Sequence, residues 1–304
     1  MNPPTDSSGP SPVRAWLALV RFSILRQFRL RQMAAIALGL LALTLFVVGL
    51  VTARFGWDRT EVRLQRADPR NVQILTGGLA LPEVEAMPVM REALRESQPL
   101  AVFSRWVVFF LFLGFLMPLW TLSFAVSAIG SERENRSLVW LLTRPIPRWG
   151  IYLAKLLGVL PWCVAFNLGG FGLMCVAGGE VGRSAFLLYW PGVLVGSIAF
   201  ASIFHLIGAW FSRPAIVALL YSFFFETILS ELPVPGTLKR LSISYYTRCL
   251  MYSSAREADV PTESDLLLVP VSDPLAWGVL LLGSVLVTLL GMRIFTKREY
   301  RDEV

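Results

Sequence analysis

The sequence predicts an all-α integral membrane protein with six transmembrane helices, an N-terminal interfacial helix, and both termini in the cytoplasm. Three observations carry this expectation. Apolar runs repeatedly exceed the roughly 18 residues needed to cross a bilayer. Only 16% of the 304 residues are charged against 55% hydrophobic, and the mean hydropathy is +0.60, whereas a soluble domain carries about 25% charge. The arginines cluster beside apolar runs, so the pI near 9.7 points to a membrane surface as the counter-charge and not to nucleic acid.

Residues 1–13 are polar and Pro-rich and read as a disordered tail. Residues 14–32, RAWLALVRFSILRQFRLRQ, place Arg14, Arg21 and Arg29 on one side of a helical wheel and Trp16, Leu19, Val20 and Leu30 on the other. Leu25 and Phe28 break the pattern, giving an imperfect interfacial helix. The apolar run that follows is too long and starts too far in for a signal peptide.

A six-span transmembrane domain is expected over 33–304. Its spans are Met33–Ala53, Trp106–Ile129, Ile151–Ala177, Phe186–Phe211, Ala215–Leu232 and Leu275–Phe295. Trp106, Trp149, Tyr189, Trp190, Trp210 and Trp277 fall near predicted ends, as interfacial belts require. Pro118 and Pro161 lie inside spans, where each removes a backbone donor and kinks the helix. Gly192 and Gly196 form one G-x-x-x-G, which the composition reads as tight packing within the subunit.

Short-flank Arg and Lys set the orientation. One side carries the N-terminal arginines, then Arg133, Arg136, Arg144 and Arg148, then Arg213, then Lys297, Arg298 and Arg301. That side is assigned to the cytoplasm. The two long segments 54–105 and 233–273 then lie outside. The first has Pro69, Pro82, Pro88 and Pro99 among mixed charges and reads as a small outer domain or a loop. The second interleaves apolar residues with Lys239, Arg240 and Arg248 and reads as short helices at the outer face or a connection.

The cytoplasmic loop 130–150 is the most informative stretch. Ser131 followed by Glu134 is a capping-box pattern that predicts a helix start. Glu132 and Glu134 suit the positive end of its dipole, and Leu138, Leu141 and Leu142 give it an apolar stripe. Arg144-Pro145-Ile146-Pro147 stops the helix. Lys155, two turns into the next span, must snorkel or find a partner. Topology-setting charge explains the arginines; a docking element for a cytoplasmic partner explains the acids, the cap and the double proline as well.

This loop resembles the signature of ABC-2 type permeases, the membrane subunits of ATP-binding-cassette exporters. The pattern S-x-E-x-E-x-x-[ST]-L-x-x-L-L-x-R-P-x-x-R is carried by Glu132, Glu134, Ser137, Leu138, Leu141, Leu142, Arg144, Pro145 and Arg148, with Lys155 on the following helix. Arg136-Ser137 stands where the family often has Gly-Thr, and Arg133 and Arg136 complete the charged face. The resemblance implies that the loop couples to a separate P-loop ATPase subunit, which binds ATP and Mg, so this chain needs no cofactor and is not itself an enzyme. It implies a second permease subunit in a homodimer or heterodimer, and a multi-pass location in the cytoplasmic membrane. The sequence contains no G-x-x-x-x-G-K-[ST] phosphate loop.

Two further residues draw notice. Glu226 lies about 20 Å along the fifth span from Arg213. An intramembrane carboxylate is a candidate for the substrate pathway or a gate, unless the span ends early and leaves it at the outer interface. His205 follows Ser202 by three residues on one helix face. Neighbours on one helix rarely give nucleophile–base geometry, so a packing histidine or a gate residue is expected. No metal is expected, since one histidine cannot make a multi-histidine site. Cys163 and Cys175 sit about 18 Å apart along one helix, too far to bridge.

The alternative to an exporter subunit is a membrane anchor that recruits an ATPase to a non-transport envelope or motility complex. An integral membrane enzyme is disfavoured because His, Asp, Glu and Cys do not cluster in the spans.

Overall fold

A computed structural model describes residues 12–27, 31–57, 99–134, 146–228, 239–258, 260 and 271–298, which are helices and short connections without a strand. The helices are α1 (Pro12–Gln27), α2 (Arg31–Phe55), α3 (Pro99–Phe103), α4 (Met117–Ala125), α5 (Ser127–Glu134), α6 (Arg148–Ala177), α7 (Gly179–Trp210), α8 (Pro214–Tyr221), α9 (Ile243–Glu257) and α10 (Asp273–Lys297). Two π-helical stretches, Ser104–Leu116 and Ser222–Ile228, extend α3 into α4 and lengthen α8.

Five helices among the described residues are long and apolar enough to cross a membrane: Ala35–Arg54, Pro99–Gly130, Arg148–Ala177, Gly179–Trp210 and Asp273–Lys297. Burial ranks them. The most apolar window of α7 is 83% buried, against 22% in α2 and α10. The central post is therefore α7, while α2 and α10 turn residues such as Phe46, Leu50, Leu282 and Leu286 outward, as helices bathed in hydrocarbon can do.

The predicted third and fourth spans form a hairpin with almost no loop. Gly178 alone separates them, and Gly179, the first residue of α7, has φ +68°, a left-handed conformation only glycine adopts freely. Just beyond, a side chain on Gly182 would collide with the Cys175 backbone. The fourth span consequently starts seven residues earlier than its hydropathy suggests.

The second span changes register where its sequence makes that change free. The Met117 N–H donates to the Phe112 carbonyl, five residues back, closing the π-helical stretch. Pro118, which has no N–H to misplace, follows at the start of α4. Helix then continues to Glu134, interrupted only by a turn at Val126. Ser131 does not start a helix, contrary to the capping-box expectation. Buried Ala128 and Ile129, and Gly130 against Pro214, hold the chain helical through that point, so tertiary packing overrides the local cap.

The fifth span is helical from Pro214 to Ile228, as α8 and its π-helical continuation, and its predicted end at Leu232 lies outside the described residues. Beside its Glu226 end packs α9, which runs antiparallel to α7. Gly192 faces Met251 and Gly196 faces Thr247, so a Cβ on either glycine would press on α9 at 2.9 Å or less. The G-x-x-x-G is thus a seat for a helix of the same chain, as its sequence reading held.

Candidate functional site

The basic end of the bundle is where α6 emerges from loop 130–150. Residues 135–145 lie outside the described residues, as do the side chains of 131–134. Of the predicted coupling residues, Glu132, Arg133, Glu134, Arg136, Leu138, Leu141, Leu142, Arg144 and Pro145 fall there. Arg148 and Lys155 are placed.

Arg148 opens α6 and reaches across to the end of α10, where its Nη1 donates to the carbonyls of Thr296 (3.5 Å) and Arg298 (3.4 Å). Arg298 in turn donates to the Ala209 carbonyl at the end of α7 (3.4 Å). Each guanidinium meets the negative end of a helix dipole, where unpaired carbonyls need donors. One turn further, α1 is pinned to the same helix: Trp16 Nε1 donates to the Gly150 carbonyl at 2.8 Å. Trp162 Nε1 donates back to the Ile24 carbonyl at 3.1 Å, and a side chain on Gly158 would strike Ser23. These contacts keep step, so α1 runs parallel to the first half of α6. Leu19, Ser23 and Gln27 are buried, with Trp16 and Val20 packed beside them, a stripe at helical spacing. Four helices are thereby fastened at the mouth of the loop.

Lys155 is 4% exposed, held within the bundle and not on its rim. His205, fully buried on α7, lies over Tyr152 with ring centroids 4.6 Å apart, and its Nε2 is 3.3 Å from the Tyr152 carbonyl. Ser202 donates to the Ile198 carbonyl instead (2.9 Å), so the Ser/His spacing makes no nucleophile–base pair. His205 thus joins α7 to α6 through Tyr152.

Glu226 is 0% exposed and accepts hydrogen bonds at both carboxylate oxygens. Oε1 takes the Tyr221 hydroxyl (2.8 Å) and the Ile243 N–H (3.1 Å); Oε2 takes the Ser242 hydroxyl (2.8 Å) and the Ser244 N–H (2.8 Å). Ser242 Oγ caps the next amide, that of Tyr245, at 3.2 Å. The first three N–H groups of α9 are therefore satisfied by two side chains. Farther along α9, Arg248 is 2% exposed and donates to the Phe109 carbonyl in the π-helical stretch (3.4 Å), and Ser253 donates to Asp273 at the head of α10.

A second polar knot crosses the interior. Asn167 Nδ2 donates to Thr121 Oγ1 (2.7 Å) and Ser197 Oγ (3.1 Å), joining α4, α6 and α7. Sequence reading passed over Asn167 and Ser242, and it gave Trp16 and Arg298 only as an apolar face and an orientation charge. Asn167 carries a usable signal, since an amide deep in an apolar helix needs partners; the others gain meaning only from what lies across from them. The three cysteines are free and buried, and no group of residues able to hold a metal occurs among those described.

An all-helical, multi-pass membrane protein with a basic, tightly fastened mouth is the class this architecture defines. Residues 70–230, more than half of the chain, match the profile described as ABC-2 family transporter protein, and the chain belongs to that family. It is a permease of an ABC-type transporter, a membrane component to which the family assigns an ATPase partner. No curated protein matches the chain.

Proposed function

We propose that this chain is the transmembrane subunit of an ATP-driven exporter in the cytoplasmic membrane, with loop 130–150 docking a separate P-loop ATPase on the cytoplasmic side, where both termini also lie. The observation that carries the reading is how the loop's two ends are attached. Its first end, α5, continues the second span and touches the fifth segment, with Gly130 against Pro214. Its second end, α6, is tied through Arg148, Arg298 and Trp16 to α1, α7 and α10. A docked ATPase that moves the loop therefore pushes the second and fifth segments against a fastened group of helices. Glu132, Arg133, Glu134, Arg136, Leu138, Leu141, Leu142, Arg144 and Pro145 form the docking surface, and Arg148 and Lys155 carry the load into α6.

The translocation path lies between this bundle, in which α7 is the most buried candidate span, and a second permease subunit, identical or related, as the family resemblance implies. Exposed aromatic residues on the second and fifth segments, Trp106, Phe110, Phe223 and Phe224, are available to that partner and to lipid. Glu226 belongs to the gate region by position, holding helices and not facing substrate; His205 positions α7. Purification of the full chain from its native membrane tests the reading. A P-loop ATPase should co-purify, and the complex in vesicles should move material at the expense of ATP. A complex that hydrolyses ATP and moves nothing would favour the anchoring role, and a chain that brings no ATPase would refute both.

A further inference from the structure

A helix lying flat on a membrane turns its apolar face to the acyl chains and its charges to water. The apolar stripe of α1 is already occupied, because Trp16, Leu19 and Ser23 are set against α6 and its neighbours. What remains outward is Arg14, Leu17, Arg21, Phe22 and Leu25, all exposed. Arginines and apolar residues thus share one face, and Leu25, which breaks the amphipathic pattern in the sequence, belongs to it.

The contacts with α6 give the depth of that face. Ser23 meets Gly158, ten residues beyond Arg148, so Arg21 stands about 12 Å along the bundle from the basic mouth. Arg148 is level with Thr296 and Arg298 at the end of α10. The same distance back along α10 falls at Leu289 and Leu290, both exposed, as residues facing acyl chains are. Arg21 is therefore an arginine at the depth of lipid-facing leucines, where a bare charge is costly. Helical Cβ atoms tilt toward the N-terminus, and the N-terminus of α1 is at the mouth. A long side chain at 21 is thus directed back toward the headgroups. Arg14 lies seven residues nearer the mouth on the same side, about 10 Å away.

We propose that the outward face of α1 binds a phospholipid with a net negative headgroup, its phosphate between Arg14 and Arg21 and an acyl chain against Leu17, Phe22 and Leu25. From Ser7 to Trp57 the chain has no acidic residue, so neither α1 nor α2 supplies a counter-charge; an anionic headgroup does. A zwitterionic lipid brings its phosphate together with a cation that two arginines repel. The apolar residues between the arginines favour a lipid over a soluble anion. The lipid is held on a helix pinned at both ends, by Trp16 on Gly150 and by Trp162 on Ile24, so it steadies α6 directly after loop 130–150. That the lipid belongs to the cytoplasmic leaflet rests on the proposed orientation; the binding itself does not.

Native mass spectrometry of the full chain in micelles, titrated with dioleoyl phosphatidylglycerol or with phosphatidylcholine of the same chains, tests this site. The wild type should bind the phosphatidylglycerol about tenfold more tightly, and equal affinities overturn the proposal. Arg14→Gln/Arg21→Gln should bring the two lipids within about twofold, while Arg14→Lys/Arg21→Lys keeps most of the preference. Should the glutamine pair misassemble, each single Arg→Gln variant is expected to cut the preference about threefold. Arg183→Gln, at an exposed arginine of the opposite end, should leave it unchanged. A full preference in the glutamine variants, or an equal loss in the lysine pair, overturns the site. Displacement of the lipid by excess inorganic phosphate would show a soluble-anion site instead and also overturns it. So would a glutamine pair that keeps its lipid preference and loses a co-purifying protein. Failure of any ATPase to co-purify with the wild type would sink the coupling reading and leave the lipid result standing.

Discussion

Trp16 and Gly150 are joined by a 2.8 Å hydrogen bond from the indole N–H to the backbone carbonyl, across 134 residues of chain. It binds the N-terminal helix to the first turn of α6, immediately after the loop that defines the family resemblance. Trp16→Phe keeps the ring and removes the donor, and should lower stability by about 1 kcal/mol, the net worth of one ordinary hydrogen bond. Trp16→Ala should cost more, because the Leu19 and Ile151 cluster loses a packed ring. Thermal unfolding in detergent compares the two, and wild-type stability in Trp16→Phe would show that the hydrogen bond contributes nothing.

Gly170 lies beneath the indole of Trp120, and a Cβ there would stand 2.5 Å from Cζ3. Trp120 is itself 1% exposed, between Phe112 and Phe166, so it has nowhere to retreat. Gly170→Ala should destabilise the bundle by about 1–3 kcal/mol through overpacking. Combined with Trp120→Phe, which removes the ring that clashes, the loss should fall short of the sum of the two single losses. A double-mutant cycle by thermal unfolding reads that coupling, and strict additivity would contradict the close approach.

The Asn167 knot makes a quantitative claim of a different size. Thr121 and Ser197 also donate to carbonyls of their own helices, those of Met117 and Val193, so neither is orphaned when Asn167 goes. Hydrogen bonds between membrane helices average about 0.6 kcal/mol, so Asn167→Leu should cost about 1 kcal/mol and not the larger penalty of a buried unpaired group. A loss above about 3 kcal/mol would mean Asn167 does more than join helices.

Glu134→Lys with Pro145→Ala reverses one charge and removes one stop in the proposed docking surface. ATPase recovered with the purified chain should fall severalfold, while membrane insertion and yield stay as in the wild type. Unchanged co-purification would count against docking at this loop.

How far the sequence carries can be judged element by element. The spans along α2, α6 and α10 were legible because hydrocarbon imposes length and apolarity directly. The glycine pair that seats α9 was legible as a packing device, though not its partner. Residues 131–134 misled, since a local cap signal says nothing of the packed helix running into it. The surroundings of Glu226 were least legible. Glu226 and its amide partners are separated by 17 and 18 residues of mixed composition, and no periodicity links them. Arg248 gave α9 the look of a surface helix, yet it reaches a π-helical carbonyl that only the fold brings near. The register of α1 along α6 likewise depends on Ser23 meeting Gly158, a fit between two small residues that composition cannot announce.

Cysteines introduced at Asn135 and Trp140 test the central claim most directly, and the native Cys163, Cys175 and Cys249 are buried and leave a clean background. With loop 130–150 facing the ATPase compartment, a membrane-impermeant maleimide should label both positions in inside-out vesicles and neither in intact cells. Labelling from outside intact cells would contradict the whole functional account.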